Sequence, residues 1–382
     1  MFINATGTFL PNAPIDNNDI ERVLGAPHGK PSRAKNIVLH NNQIKTRHYA
    51  IDPLTREPTH SNAQLAAEAV NVILRDNPDL SLRDVQLMAC GTSSPDLIIP
   101  GHAAMVQGHL PQMHGETIST SGVCCSSMAA LKMAFLSIAA GDSTAAVVTG
   151  SETASKWMRA ELFESENPRK VDELAANAAI AFEHDFLRWM LSDGAGAAYL
   201  SDTALAGKTN LRINWIEGRS YANEQPVCMF AGGYREDDGS VTAWKDLRLT
   251  GDSHRLKHAM NVSQDIRILR DQMPVCSIER ALREIADKRK LTPDDYTWFL
   301  PHYSSHYFRQ VVLDSMTRIG FRIPTDRWFT KLYDCGNVGS ASMFIFIDQL
   351  ARNMPLKAGQ KVLCYIPESG RFSVYYMELE VV

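Results

Sequence analysis

The sequence predicts an α/β protein made of two related halves packed about a pseudo-twofold axis. Three observations lead there. A similarity recurs within the chain at an offset of 211 residues. Each copy runs helix, strand, loop, helix, strand in the same order, and apolar strand-like runs closed by glycine alternate with amphipathic helical ones. Alternation of this kind implies mixed or mostly parallel sheets covered by helices. At 382 residues, 45% hydrophobic and 21% charged, the chain is long enough to form two cores.

Residues 80–94 and 291–305 align without gaps, pairing Leu80 with Leu291, Asp84 with Asp295, Ser93 with Ser304 and Ser94 with Ser305. Each copy opens on a capping residue, Ser81 or Thr292, with Asp three positions on, then an apolar run and a small-polar loop. A helix precedes each copy. The first spans 61–76, opened by Ser61 and Gln64, with Leu65, Ala69, Val72 and Ile73 on one face. The second spans 277–288, with Ile278, Ala281, Leu282 and Ile285 likewise.

The same offset brings Cys124 onto Cys335 and Ala130 onto Ala341. Each position leads into an apolar helix (126–140, 340–352), a glycine (Gly141, Gly359) and a strand (145–149, 362–366). Residues 192–200 close the first half and 372–381 the second, which divides the chain into 1–205 and 206–382. The polar, helix-prone stretch at about 153–190 has no counterpart and reads as an insertion near the cleft or a dimer surface.

The formal net charge of −4 offers no basic field for nucleic acid or an anionic membrane. No apolar run approaches the ~20 residues of a membrane span, and the first residues lack a signal-peptide pattern. The seven cysteines are scattered, without metal-ligand spacing. They predict a reduced, cytoplasmic enzyme without a metal.

Cys124, in Ser121-Gly122-Val123-Cys124-Cys125-Ser126, stands at a turn before a buried helix, whose N-terminal field favours a thiolate. Alone, it reads sooner as a small buried hydrophobe. His302 ends the strand around 298–300, where a hydrogen-bonded structural histidine also fits. Asn337 lies in a glycine-rich turn, where an αL turn residue also fits. In corresponding loops of a duplicated fold, the three read together as a catalytic set. Cys124 would attack an acyl thioester and keep the acyl group as a new thioester. The His302 N–H and the Asn337 amide would hold the enolate oxygen of a second thioester. The backbone N–H groups of Cys124 and Gly370 would form the oxyanion hole for acyl transfer.

At these residues the chain resembles the β-ketoacyl-ACP synthase III branch of the thiolase superfamily. Residues 42–48 (Asn42-Gln43-Ile44-Lys45-Thr46-Arg47-His48) resemble the family's "TGIxxRH", and Asp193-Gly194-Ala195-Gly196-Ala197-Ala198 its "DGAGAA". Pro301-His302 resembles the start of "PHQAN", and Gly336-Asn337-Val338-Gly339-Ser340-Ala341-Ser342 resembles "GNTSAAS". The spacing from Cys124 to Gly141 and Gly150 resembles the nucleophile helix and favours Cys124 over Cys125. The sequence departs at Ser305, which replaces an Asn, and at Ser369-Gly370-Arg371, which replaces a triple glycine. The family's tryptophan near residue 30 is also absent. The resemblance implies the thiolase-like duplicated fold, with five-stranded mixed sheets in αβαβα layers. It implies a homodimer in which Ile99, in Asp96-Leu97-Ile98-Ile99-Pro100, walls the partner's acyl pocket; a simple apolar turn fits that segment as well.

The stretch from Gly29 to Pro53, with the insertion, resembles a narrower group, the ketosynthase/cyclases of bacterial dialkylresorcinol and stilbene pathways. That implies a β-ketoacyl and an α,β-unsaturated acyl thioester, delivered on acyl carrier protein or coenzyme A without a further cofactor. Claisen condensation and Michael closure would give a cyclohexanedione carboxylate. Glu152 is then a candidate acid/base for ring closure, beside its reading as a structural carboxylate. The alternatives are chain initiation with malonyl-ACP, an acyltransferase of the same fold, a silent partner of an active ketosynthase, and a redox role for Cys124-Cys125.

Overall fold

The computed structural model describes residues 1–163 and 187–382. The insertion expected at 153–190 therefore lies for the most part outside the described residues. The first half contributes strands β1 (Phe2–Phe9), β2 (Leu87–Thr92), β3 (Glu116–Ser121), β4 (Ala145–Thr153) and β5 (Asp193–Ser201). The second contributes β6 (Leu211–Arg219), β7 (Trp298–Pro301), β8 (Lys361–Pro367) and β9 (Val374–Val381). The hydrogen-bonded order is β7-β8-β9-β6-β1-β5-β4-β2-β3.

The duplication is visible in that order. Outward from the centre, the first half runs β1, β5, β4, β2, β3, and the second runs β6, β9, β8, β7. In each, the first strand is antiparallel to its neighbour and the interior crossover strands are parallel. The two halves of the sheet join through two residue pairs, Phe2 with Arg212 and Ile3 with Leu211. The first sheet has the five strands expected. In the second, the fifth contracts to a single bridge between Phe299 and Trp328, because Pro324 leads into a 3-10 turn at Thr325–Arg327.

Five layers follow from the alternation of side chains along the strands. Helices α2 (Ser126–Ala139) and α5 (Ser342–Asn353) form the middle layer. Met128, Leu131, Phe344 and Ile347 pack between Ala89, Val148 and Leu200 of one sheet and Leu300, Val362 and Leu379 of the other. Helix α1 (Asn62–Asp76) covers the outer face of the first sheet, with Leu65, Ala69 and Ile73 against Met88, Cys90 and Val147. Helices α3 (Ala281–Arg289) and α4 (Tyr307–Arg318) cover the second, with Leu282, Ile285, Val312 and Met316 near Phe299, Leu363 and Tyr376. The Ser61 cap is a capping box with Gln64, as its spacing predicts. The helix expected at 277–288 is the end of a longer run. Pro274, which has no N–H to offer the helix ladder, precedes a wide turn at Val275–Arg280, and α3 follows.

Candidate active site

Cys124 follows β3 in the short loop that leads into α2, whose N-cap is Cys125. Gly91 makes this placement possible, since a Cβ there would lie 2.4 Å from the Ser127 nitrogen and push α2 off β2. Cys125 turns inward, buried, with its Sγ 3.0 Å from the Ile366 carbonyl oxygen. Cys124 instead lines a cavity of about 920 Å³, open mouth included. The preference for Cys124 over Cys125 has this packing behind it.

His302 and Asn337 line the same cavity. The backbone N–H of His302 donates to the Tyr365 carbonyl at 2.8 Å, which ties the end of β7 to β8. Asn337 is held from three sides. Its backbone N–H donates to the Met190 carbonyl at 3.0 Å, and its carbonyl accepts from the Ser192 N–H at 2.9 Å. Its Oδ1 accepts from the Gly339 N–H at 3.0 Å, which identifies the amide NH₂ as the end left for a ligand. The turn needs Gly336, with φ +74°, because a Cβ there would lie 2.8 Å from that of Ser192. The motif at 42–48 supports this lock: the His48 N–H donates to Ser192 Oγ at 2.9 Å, and the Asp193 N–H donates to the His48 carbonyl at 2.8 Å.

Glu152 is 2% exposed, near the end of β4, and lines the cavity. Its Oε1 accepts from the backbone N–H groups of Ser93 and Ser340, both at 3.1 Å, and from Ser340 Oγ at 2.7 Å. Its Oε2 accepts from Ser93 Oγ at 2.7 Å and Ser94 Oγ at 2.6 Å. The carboxylate thus stitches the loop after β2 to the one before α5, across the two halves. It serves the structural reading by its bonds and the acid/base reading by its place.

Two expectations need correction. The thiolate-favouring field does not prevail at Cys124: burial pushes the thiol up, and Glu152 and then Glu368 push it the same way. The helix starts two residues later, at Ser126, and burial and the two carboxylates favour the neutral thiol. The Gly370 amide is also engaged, donating to Glu368 Oε2 at 2.6 Å. Of the two expected oxyanion donors this leaves the Cys124 amide. Burial lowers His302 to about 4, so at neutral pH its ring is uncharged, able to donate from one nitrogen and accept at the other. Ile99 does not line this cavity: it is 82% exposed, beside Ile98 and Leu97, on a surface loop.

Two family models match the chain, one in each half. Residues 74–206 match the N-terminal domain of β-ketoacyl synthases. Residues 286–366 match the C-terminal domain of 3-oxoacyl-ACP synthase III. The chain is a thiolase-superfamily enzyme of the β-ketoacyl synthase III type. It is an acyl-transferring condensing enzyme. It is 23% identical, over 94% of its length and 93% of the relative's, to β-ketoacyl-ACP synthase III of Methylococcus capsulatus. Among solved structures it is similar to the tetronic acid condensing enzyme AbyA1, with a TM-score of 0.72 at 18% identity over all of both chains. It is also similar to a point variant of Xanthomonas campestris OleA, with a TM-score of 0.73 at 16% identity over 99% and 98% of the two chains.

The enzyme's cavity includes residues that the sequence reading left out of the site. Ser93 and Ser304 both line it. They are matched positions of the internal duplication, a signal that was present and pointed to equivalent cavity walls. Glu368 lines it as well, and the substituted glycine motif beside it was the available hint. The described flanks of the insertion contribute Ala154, Trp157, Leu187 and Met190.

Proposed function

We propose that the enzyme is a ketosynthase/cyclase. It joins a β-ketoacyl thioester to an α,β-unsaturated acyl thioester through an acyl group on Cys124, and closes the ring to a cyclohexanedione carboxylate. The supporting observation is one largely apolar cavity in which Cys124 of the first half meets His302 and Asn337 of the second, with the Glu152 carboxylate on the same wall. In acylation, neutral His302 accepts the Cys124 proton as sulfur attacks the thioester carbonyl, and the Cys124 amide faces the developing oxyanion; the carrier's C–S bond then breaks and the departing thiolate takes the proton from His302. In condensation, the His302 N–H and the Asn337 NH₂ hold the enolate oxygen of the donor. Glu152 moves the proton for the Michael closure.

Substrates arrive as acyl carrier protein or coenzyme A thioesters, and no further cofactor takes part. Among proteins of this fold, OleA has been seen with lauroyl-CoA bound. The cell compartment we propose is the cytoplasm; no described helix is long and apolar enough to cross a membrane. The partner is a second copy of the chain. Leu97, Ile98 and Ile99 expose 48%, 73% and 82% of their surface, and the outer edge of β3 pairs with no described strand. Ile99 would wall the other copy's acyl pocket.

A second reading is chain initiation by decarboxylative condensation with malonyl-ACP, favoured by the names of the curated relatives that match over nearly the whole chain. Intact-protein mass spectrometry separates the two. Wild type and Cys124→Ala are incubated with β-ketoacyl and 2-enoyl thioesters, and the products of the paired reaction are identified. Acylation lost in Cys124→Ala together with a cyclic dione supports the ketosynthase/cyclase. Acylation by a simple acyl-CoA and a linear product with malonyl-ACP moves the enzyme to chain initiation.

A further inference from the structure

Glu368 shares the cavity with Cys124, His302 and Asn337 and is 9% exposed. It follows the strand β8, where the chain doubles back toward β9 beside the nucleophile loop. A Cβ on Gly370 would come 2.6 Å from Glu368 Oε2 and 3.2 Å from Val123 Cγ2, which sets the Glu368 loop against the residue preceding Cys124. The carboxylate is held by backbone amides. Gly370 N–H donates to Oε2 at 2.6 Å, and the Ser373 and Arg371 N–H groups donate to Oε1 at 2.8 and 3.3 Å. All three partners donate, so the side chain acts only as an acceptor there. Oε2 carries one hydrogen bond, whereas each oxygen of Glu152 accepts at least two. Of the two cavity carboxylates, Glu368 has the freer oxygen.

The charge of the cavity points the same way. Among the described residues that line it, Glu152 and Glu368 are acidic and none is Lys or Arg. A donor activated by loss of CO₂ would bring a third carboxylate into this space with no cation to pair it. A β-ketoacyl donor brings no charge, and its C2 proton needs a base.

We propose that Glu368 is that base, and that it returns the proton to Cys124 once the carbon–carbon bond has formed. The proposal rests on the condensing reading above and names the residue that moves its proton. The C2–H bond of the donor breaks, the proton goes to Glu368 Oε2, and the electron pair passes into an enolate held by His302 and Asn337. The enolate carbon attacks the carbonyl of the Cys124 thioester. The tetrahedral intermediate collapses, the C–S bond breaks, and the departing thiolate takes the proton back from Glu368. Thiol and carboxylate are restored with no oxidant, reductant or further reactant. The cavity's preference for an uncharged donor is the corollary.

The test is exchange of the C2 protons of a β-ketoacyl-CoA in D₂O, followed by NMR. It is run on Cys124→Ala, which cannot be acylated, so that exchange reports proton abstraction alone. Exchange by Cys124→Ala should exceed the solvent rate by roughly 10² or more, the ordinary contribution of a positioned base. It should return to the solvent rate in Cys124→Ala with Glu368→Gln. Because glutamine would set an NH₂ against the Gly370 amide, Glu368→Asp is the second variant. It keeps the charge, withdraws the oxygens by one methylene, and should exchange roughly tenfold or more below Cys124→Ala. Exchange that survives both Glu368 substitutions overturns the proposal. Exchange lost with Glu368 but no condensed product from the wild type would leave Glu368 as the base and refute the condensing reading. A condensed product with exchange indifferent to Glu368 would do the reverse.

Discussion

Replacing Glu152 by glutamine tests whether one carboxylate both joins the halves and closes the ring. Five hydrogen bonds reach it, two from backbone N–H groups and one from Ser340 Oγ at Oε1, and two from serine hydroxyls at Oε2. Backbone donors cannot reverse, so the amide oxygen of Gln must take the Oε1 place and its NH₂ the Oε2 place. Ser93 Oγ can rotate to accept. Ser94 Oγ already accepts the Thr153 N–H at 3.0 Å and the Asn62 amide at 3.4 Å, so no acceptor site is left for the new NH₂ and its own hydroxyl proton loses a partner. Hydrogen bonds to a charged group contribute ~1.5–3 kcal/mol and neutral ones ~0.5–1.5, so four bonds weakened by about 1 kcal/mol each and one lost donor come to about 5–6 kcal/mol. Relief from burying a charge offsets part of that. The expected net loss is about 2–3 kcal/mol of unfolding free energy, read from urea denaturation. In the same preparation, Cys124 acylation should slow less than tenfold, while the cyclic product falls by roughly 10². Full stability in Glu152→Gln would refute the hydrogen-bond account. An undiminished cyclic product would make Glu152 purely structural.

Other outcomes follow from the same geometry. Asn337→Asp exchanges the cavity-facing NH₂ for an acceptor, so condensation from a preloaded acyl-enzyme should fall roughly 10²–10³-fold in single-turnover measurements while acylation changes little. Gly336→Ala forces a Cβ against Ser192 and Arg47 at φ +74°; a loss of ~1–3 kcal/mol in stability is expected, with condensation impaired more than acylation. The pH dependence has a defined sign. Burial lowers His302 to about 4, below its unfolded value of about 6.5, so its contribution to stability is complete above pH 6.5 and is lost as pH falls toward 4. The loss is about 3 kcal/mol. His102, also near 4, adds to it. Asp193, raised by burial to about 6, opposes it, its contribution being complete below about pH 4 and lost as pH rises to 6. Urea denaturation between pH 4 and 7 should therefore show a shallower slope in His302→Asn than in the wild type.

Much of the molecule was legible in one dimension. The capping box at Ser61 and Gln64, the helices after Cys124 and Asn337, and the strands that close each half depend on spacings within a few residues, where local backbone chemistry decides. The duplication fixed the relation between the halves, down to Ser93 and Ser304 on the walls of one cavity. That Cys124, His302 and Asn337 would line one cavity was legible for the same reason. Tertiary structure decided what those groups experience. The state of the Cys124 thiol and the five donors around Glu152 come from residues as much as 244 positions apart. Burial and charge act through space at distances the sequence does not record. The chain therefore determined by itself which side chains stand at the site, and only the packed fold determined which of them hold a proton, which are bound, and which remain free to act.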